Sequence, residues 1–190
     1  RDDEKSAQLK NQYGFEGKKV VGHIGRLEFQ KNPLFLIDVF NETVKLMPNV
    51  VFVMVGGGSM ADKVRQKINK LGLSKKVFIF NETKHVEDYY ALFDVFVLPS
   101  KFEGLPLVAI EAQMMGVPCL LSDKITRETD ISGTCNFLPI KSARLWGENI
   151  SESLNKNEKY NLASIADYNI LYQVKALEDY YTELNANVKN

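Results

Sequence analysis

Val50-Val-Phe-Val-Met-Val-Gly-Gly-Gly-Ser-Met-Ala61 is the stretch that decides the fold. Val50 to Val55 is an unbroken apolar run, the pattern of a strand covered on both faces. Gly56-Gly57-Gly58 ends it, and Met60 to Leu71 continues with the apolar spacing of an amphipathic helix that Gly72 stops. Apolar strand, glycine turn and helix in succession form the unit of a parallel sheet clad in helices.

The same alternation runs outward in both directions. Upstream, Lys19 to Gly25 (KVVGHIG) is a short β-type run. Pro33 then opens a helix with Leu34, Leu36, Ile37, Phe40, Val44 and Met47 at helical spacing, broken at Pro48-Asn49. Downstream come a strand at Lys76–Phe80, a short helix at Val86–Leu92, a strand at Asp94–Leu98, a helix around Glu111 stopped by Gly116, a strand at Val117–Leu121 and a last short strand at Asn136–Pro139. From about residue 141 the chain is helical in character, with an aromatic-rich amphipathic helix expected over 168–184. The fold class expected is α/β: a Rossmann-like parallel sheet of about six strands flanked by helices, one domain over residues 1–190 with a helical tail over 141–190. In such sheets ligands bind beyond the carboxyl ends of the strands. The candidate binding loops are therefore Gly25–Asn32, Gly56–Met60, Phe80–His85 and Ser100–Leu105, all on one rim.

Length and charge narrow the classes. A chain of 190 residues can bury the core of one α/β domain. With 24 basic and 24 acidic residues it has no global charge that would favour nucleic acid or an anionic membrane. Cys119 and Cys135 lie in apolar, strand-like settings and are expected to be buried free thiols of a reducing compartment. No ligand spacing for zinc exists, no apolar run approaches the ~20 residues of a membrane span, and no signal peptide is visible. The polar start, Arg1 to Ser6, suggests a piece of a longer protein entered through a linker.

The chemistry concentrates in Glu103-Gly-Leu-Pro-Leu-Val-Ala-Ile-Glu111. Pro106 suits the first turn of a helix, and the apolar run from Leu107 to Met115 predicts a helix buried on most sides, with Glu111 inside it. Glu103 precedes that helix, beside backbone amides that favour an anion. Phosphate at the helix start and hydroxyls at the two carboxylates would suit a sugar nucleotide. Arg26 and Lys31, in the loop after the first strand, can both reach one diphosphate, the former as a planar fork and the latter as a point charge. Gly56–Ala61 fits a relaxed dinucleotide fingerprint, G-x-G-x-x-A, but stands on the second strand; a tight strand-to-helix turn is the preferred account. Phe80–His85 could hold a flat base or be a plain polar loop, and His23 is more simply a packed residue than a catalyst. No Asp-x-Asp pair stands at a strand end to carry a metal, so cations and a helix terminus would neutralise the diphosphate.

Together, Gly25-Arg26-Leu27 with Lys31, the Val-Gly-Gly-Gly turn, Asp94-Val-Phe-Val-Leu-Pro-Ser100 and Phe102-Glu-Gly-Leu-Pro-Leu-Val-Ala-Ile-Glu-Ala112 resemble the retaining glycosyltransferases of family 4 over roughly residues 18–140. Gly-Val-Pro-Cys-Leu-Leu-Ser-Asp123, with Trp146 downstream, looks most like transferases of bacterial capsular or extracellular polysaccharides. The resemblance implies the second domain of a two-domain GT-B enzyme, the domain that binds a nucleoside-diphosphate sugar, with the N-terminal acceptor domain absent. It implies that Arg26 and Lys31 bind and stabilise the leaving diphosphate, that Glu103 contacts the transferred sugar, and that these three carry the catalysis. It further implies that Gly25, Gly57, Gly104, Leu105, Pro106 and Leu107 line the donor, that Glu111 holds the ribose diol, and that Phe80, Asn81 and Glu82 hold the base. The family turn often carries an acid at the position of Gly57, so a side-chain role is lost there. No cofactor and no metal are implied. The enzyme would be cytoplasmic, reaching the inner face of the membrane only through the full-length protein. A dinucleotide-dependent oxidoreductase fragment, a nucleotide-sugar epimerase and a non-catalytic sugar-nucleotide module are the competing readings.

Overall fold

The structure is a computed structural model that describes residues 3–81 and 85–156. The expectation of a helix over 168–184, most of the tail, and Glu82 lie outside the described residues. The elements are α1 (Asp3–Gln12), β1 (Lys19–Ile24), a 3-10 turn (Phe29–Lys31), α2 (Pro33–Leu46), β2 (Val50–Val55), α3 (Ala61–Lys70), β3 (Val77–Phe80), α4 (Val86–Leu92), β4 (Val95–Leu98), α5 (Leu107–Met114), β5 (Cys119–Ser122), β6 (Asn136–Leu138) and α6 (Ala143–Asn155).

All six strands are parallel, in the order β3-β2-β1-β4-β5-β6. The chain starts in the middle of the sheet, builds outward to β3, then crosses back to β4. The parting between β1 and β4 is the point where strand order reverses, and there such sheets open a ligand crevice. The register shows the opening. β1 pairs with β2 along its whole length, from Lys19↔Val50 to Ile24↔Val55, but with β4 only at Val21↔Val95 and Gly22↔Phe96.

Alternate residues of the strands feed two cores. Val21, Phe52, Met54, Val95 and Val97 pack with Leu36, Phe40, Val64 and Trp146 on one face. Val20, Val51, Val53, Phe96 and Leu98 pack with Phe15, Tyr90, Phe93 and Ala112 on the other. Gly22 is fixed by this packing: a Cβ there would lie 2.1 Å from the Phe93 ring. Trp146 is fully buried in α6, and its indole N–H donates to the Pro139 carbonyl at 3.0 Å, so the ring is packed without leaving its polar edge unpaired.

Three local expectations fail. The polar start is not a linker, because residues 3–12 form α1. Its surface carries no apolar stripe; Leu9 alone of its apolar side chains is seen against the core that holds Phe15, and long-range ion pairs add to the hold, Lys5 to Asp88 at 2.6 Å and Lys10 to Asp94 at 2.7 Å. Asp94 also accepts the Val20 N–H at 2.7 Å, so one carboxylate ties α1 to the sheet. Helix α5 is not buried on most sides. Ala109, Ile110 and Ala112 face inward, but Leu107 is 65% exposed, Met114 is 42% exposed, and Glu111, on the same stripe, is exposed as well. Cys119 is buried in β5 as expected, whereas Cys135 is half-buried and stands just before β6; both are free thiols. Contact with the Cys119 thiol, and then burial, push the Cys135 thiol up. Among the described residues no helix is long and apolar enough to cross a membrane.

Candidate functional site

The strand order sets the loops after β3, β2, β1 and β4 side by side, and backbone hydrogen bonds stitch them. The Gly56 N–H donates to the Phe80 carbonyl at 2.9 Å, the Gly25 N–H to Val55 at 3.0 Å, the Leu27 N–H to Gly57 at 2.7 Å, and the Lys101 N–H to Gln30 at 2.8 Å. The glycine turn is there for this closeness. A Cβ at Gly56 would fall 2.3 Å from the Gly25 carbonyl oxygen, and one at Gly58 2.6 Å from that of Leu27, with φ at +134° and +154°. The turn thus packs against the neighbouring loop, as the tight-turn account expects; only Gly57 has open space where a Cβ would be. Glu28 seals the junction by accepting the Ser59 hydroxyl at 2.6 Å and the Ser59 amide at 2.7 Å, which hold its carboxyl below the usual range.

On this platform the structure brings Lys31 and Glu103 together. The Lys31 ammonium lies 2.5 Å from Glu103 Oε1, with side chains 14% and 8% exposed. Gln30 Nε2 donates to Glu103 Oε2 at 3.1 Å and to the Phe102 carbonyl at 3.0 Å. Asn32, in the left-handed conformation at φ 56°, turns the chain out of the 3-10 turn, and Pro33 starts α2. That backbone costs little for Asn. Arg26 is exposed one residue beyond Gly25, close enough to contribute to the low carboxyl of Glu28.

Gly104, Leu105 and Leu107 are exposed around the start of α5, and Pro106 is buried. No side chain caps that helix, so its first amides stay available to an anion. Glu111 Oε2 accepts the Tyr90 hydroxyl at 2.7 Å, and the same hydroxyl donates to the Val108 carbonyl at 3.1 Å. Burial, and then the Glu111 charge, push the Tyr90 hydroxyl far up, so it stays a donor. Phe80 packs its ring 5.4 Å from both Tyr13 and Tyr89, with its carbonyl taken by Gly56; Asn81 beside it is exposed.

Two buried polar side-chain atoms at this rim, His23 Nε2 and Ser100 Oγ, have no hydrogen-bond partner among the described residues. His23 is fully buried, its Nδ1 3.0 Å from the Val97 carbonyl across the β1/β4 parting, its Nε2 unpaired. A carbonyl can only accept, so Nδ1 carries the proton and Nε2 is a bare acceptor. Burial lowers the His23 pKa to about 4, with the Lys31 charge adding to the shift against the Val97 bond. Ser100 Oγ, at the end of β4, is also buried and unpaired. Gln30 and Tyr90 carried no sequence signal. Their partners lie 73 and 21 residues away, and nothing local marks them.

Residues 5–166 match the family description "Glycosyl transferases group 1". The chain belongs to that family. It is 27% identical over 181 residues to the UDP-Gal:alpha-D-GlcNAc-diphosphoundecaprenol alpha-1,3-galactosyltransferase of Escherichia coli, with 86% of this chain and 45% of that protein aligned. It is 32% identical over 108 residues to the amylovoran biosynthesis glycosyltransferase AmsD of Erwinia amylovora, covering 57% of this chain and 30% of the relative. Among solved structures, Anabaena HepE in complex with UDP and glucose superposes with a TM-score of 0.73 at 20% identity, over 82% of this chain and 44% of that one. S. aureus TarM, in a complex that includes UDP, superposes with a TM-score of 0.69 at 26% identity, over 74% of this chain and 29% of that one. The chain therefore spans less than half the length of these relatives. Its sheet is that of the Rossmann-like domain found in GT-B enzymes, as the sequence predicts.

Proposed function

We propose that this chain is the donor-binding domain of a retaining glycosyltransferase that moves a sugar from a nucleoside-diphosphate sugar to a saccharide or lipid-linked acceptor in bacterial polysaccharide synthesis. The observation that carries the proposal is the Lys31–Glu103 pair on the rim beside the β1/β4 parting, with Arg26 exposed in the same loop as Lys31 and the uncapped start of α5 four residues after Glu103. The HepE and TarM structures, both with UDP bound, support a nucleotide donor. The names of the galactosyltransferase and the amylovoran enzyme support the polysaccharide setting.

The chemistry asked of the site is specific. The bond from the anomeric carbon to the diphosphate oxygen breaks, the acceptor oxygen bonds to that carbon, and the acceptor proton leaves with the solvent or the product phosphate. Charge builds on the diphosphate as positive character builds at the anomeric carbon. Arg26, Lys31 and the α5 amides would hold the diphosphate and gain strength as its charge rises, which lowers the barrier. Glu103 would take hydroxyls of the transferred sugar, and Glu111, oriented by Tyr90, the ribose diol. Gly25, Gly57, Gly104, Leu105, Pro106 and Leu107 would line the donor, and the end of β3, at Phe80 and Asn81, would flank the base. The acceptor would come from a domain outside these 190 residues, cytoplasmic and able to approach the membrane face.

Calorimetric titration with UDP, GDP, ADP and NAD⁺ in EDTA tests this. Saturable binding of one nucleoside diphosphate is expected, with little or no transfer by the chain alone. Binding of NAD⁺ alone would overturn the proposal, and turnover by the chain alone would overturn its dependence on a second domain.

A further inference from the structure

Glu103 sits between two donors of one turn. Both of its carboxylate oxygens are held by consecutive residues of the 3-10 turn, Oε1 by the Lys31 ammonium at 2.5 Å and Oε2 by the Gln30 amide at 3.1 Å. The proposed function gives these two groups to different parts of the donor, so an arriving diphosphate competes with Glu103 for the Lys31 ammonium. The two donors differ in how they would respond. Lys31 places its charge at the end of a flexible stem, and an ammonium is drawn more strongly to a diphosphate than to one carboxylate. Gln30 is neutral and pinned on the Glu103 side: its amide also holds the Phe102 carbonyl at 3.0 Å, and its own carbonyl holds the Lys101 N–H at 2.8 Å. An arriving anion would pull the first and not the second.

We propose, resting on the donor-domain reading above, that donor binding moves Lys31 from Glu103 to the diphosphate, and that Gln30 is the positioning residue that keeps Glu103 aimed at the sugar once Lys31 has left. The exchange vacates Oε1 in a side chain only 8% exposed. A carboxylate oxygen left bare there is costly, and sugar hydroxyls are the groups that satisfy it. A bare nucleoside diphosphate opens the pair and leaves Oε1 unpaired; the sugar conjugate opens it and refills it. The site therefore prefers donor over spent nucleotide, and after transfer the return of Lys31 to Glu103 helps to expel the product.

The test is calorimetry on the 190-residue chain with UDP, GDP and ADP and the glucose conjugate of each. Glu103→Gln is expected to tighten the bare nucleotide by roughly 3- to 10-fold, since Lys31 no longer has to leave a charge partner, and to abolish the preference for the conjugate. Removing a negative charge near an anion would also tighten binding without any exchange. The double variant decides between them: in a Lys31→Ala background, Glu103→Gln should change nucleotide affinity by less than about twofold. Gln30→Ala should erase the preference for the conjugate over the bare nucleotide, a ratio that a purely structural loss would leave intact. Equal tightening with and without Lys31, or an undiminished preference in Gln30→Ala, overturns the exchange while leaving the donor-domain reading standing. Failure of the unsubstituted chain to bind any of the nucleotides overturns both.

Discussion

The fully buried His23 makes a prediction whose size follows from its surroundings. Its pKa falls from 6.5 to about 4 because burial opposes the charged ring. Between those values the unfolded chain binds a proton that the folded chain refuses, so stability rises with pH across the window. The contribution is complete above about pH 6.5, declines as pH falls, and is exhausted near pH 4. At pH 5 the loss is about 2 kcal/mol, and the full window amounts to about 3 kcal/mol. The groups around the ring pull in opposite directions: the Val97 carbonyl, bonded to the Nδ1 proton, raises the pKa, the Lys31 charge lowers it by opposing a second proton on Nε2, and burial outweighs both. Carboxylates held low, such as Glu28, titrate beneath the upper part of this window, and the second histidine, His85, is exposed. The assay is urea unfolding at pH 7.5, 6.5, 5.5 and 5.0 for the native chain and for His23→Gln, whose amide can still donate to Val97 but does not titrate. The native midpoint should fall by roughly 1 M over this range, at the slope usual for small proteins, and that of His23→Gln by much less. Parallel declines in the two proteins would refute the assignment of the slope to His23.

Other outcomes follow from single contacts. Arg26→Ala should weaken nucleoside-diphosphate binding roughly 10- to 100-fold, the worth of a charge-assisted bond to phosphate, with melting temperature little changed because the side chain is exposed; calorimetry and thermal melts read both. Tyr90→Phe removes the donor to Glu111 and Val108 and should cost about 1 kcal/mol in urea unfolding together with a several-fold loss of nucleotide affinity. Gly22→Ala drives a methyl to 2.1 Å from the Phe93 ring and should destabilise by at least about 1–3 kcal/mol, largely relieved when paired with Phe93→Leu. Trp146→Ala should cost about 3–5 kcal/mol in the same assay, since the ring is fully buried in one core.

Periodicity made the sheet legible. Six apolar runs alternating with amphipathic segments left little choice but a parallel sheet, and the predicted strand bounds fall within two residues of those found. α1 was not legible, because its residues carry no apolar stripe and its hold on the domain combines the packing of Leu9 with Lys5 and Lys10 reaching Asp88 and Asp94, more than eighty residues on. The exposure of Glu111 escapes the sequence for a related reason. The apolar run from Leu107 to Met115 looks like a buried helix, yet Leu107, Glu111 and Met114 share an exposed stripe, and composition cannot tell an apolar side turned to the core from one left at the surface.

By itself the sequence determined the α/β class, the parallel sheet, the rim that the four loops share, and the residue types offered there: two cations in the first loop, two carboxylates around α5, and a glycine turn between. Those are properties of local pattern and spacing. Only the tertiary structure decided who touches whom: that Lys31 and Gln30 occupy both oxygens of Glu103, that Tyr90 holds Glu111, that Gly56 and Gly58 meet the loop after β1, and that His23 spans the parting between β1 and β4. The reason is physical. Strand order and register place side chains from distant segments within hydrogen-bond reach, and no single segment carries a record of the partner it will meet.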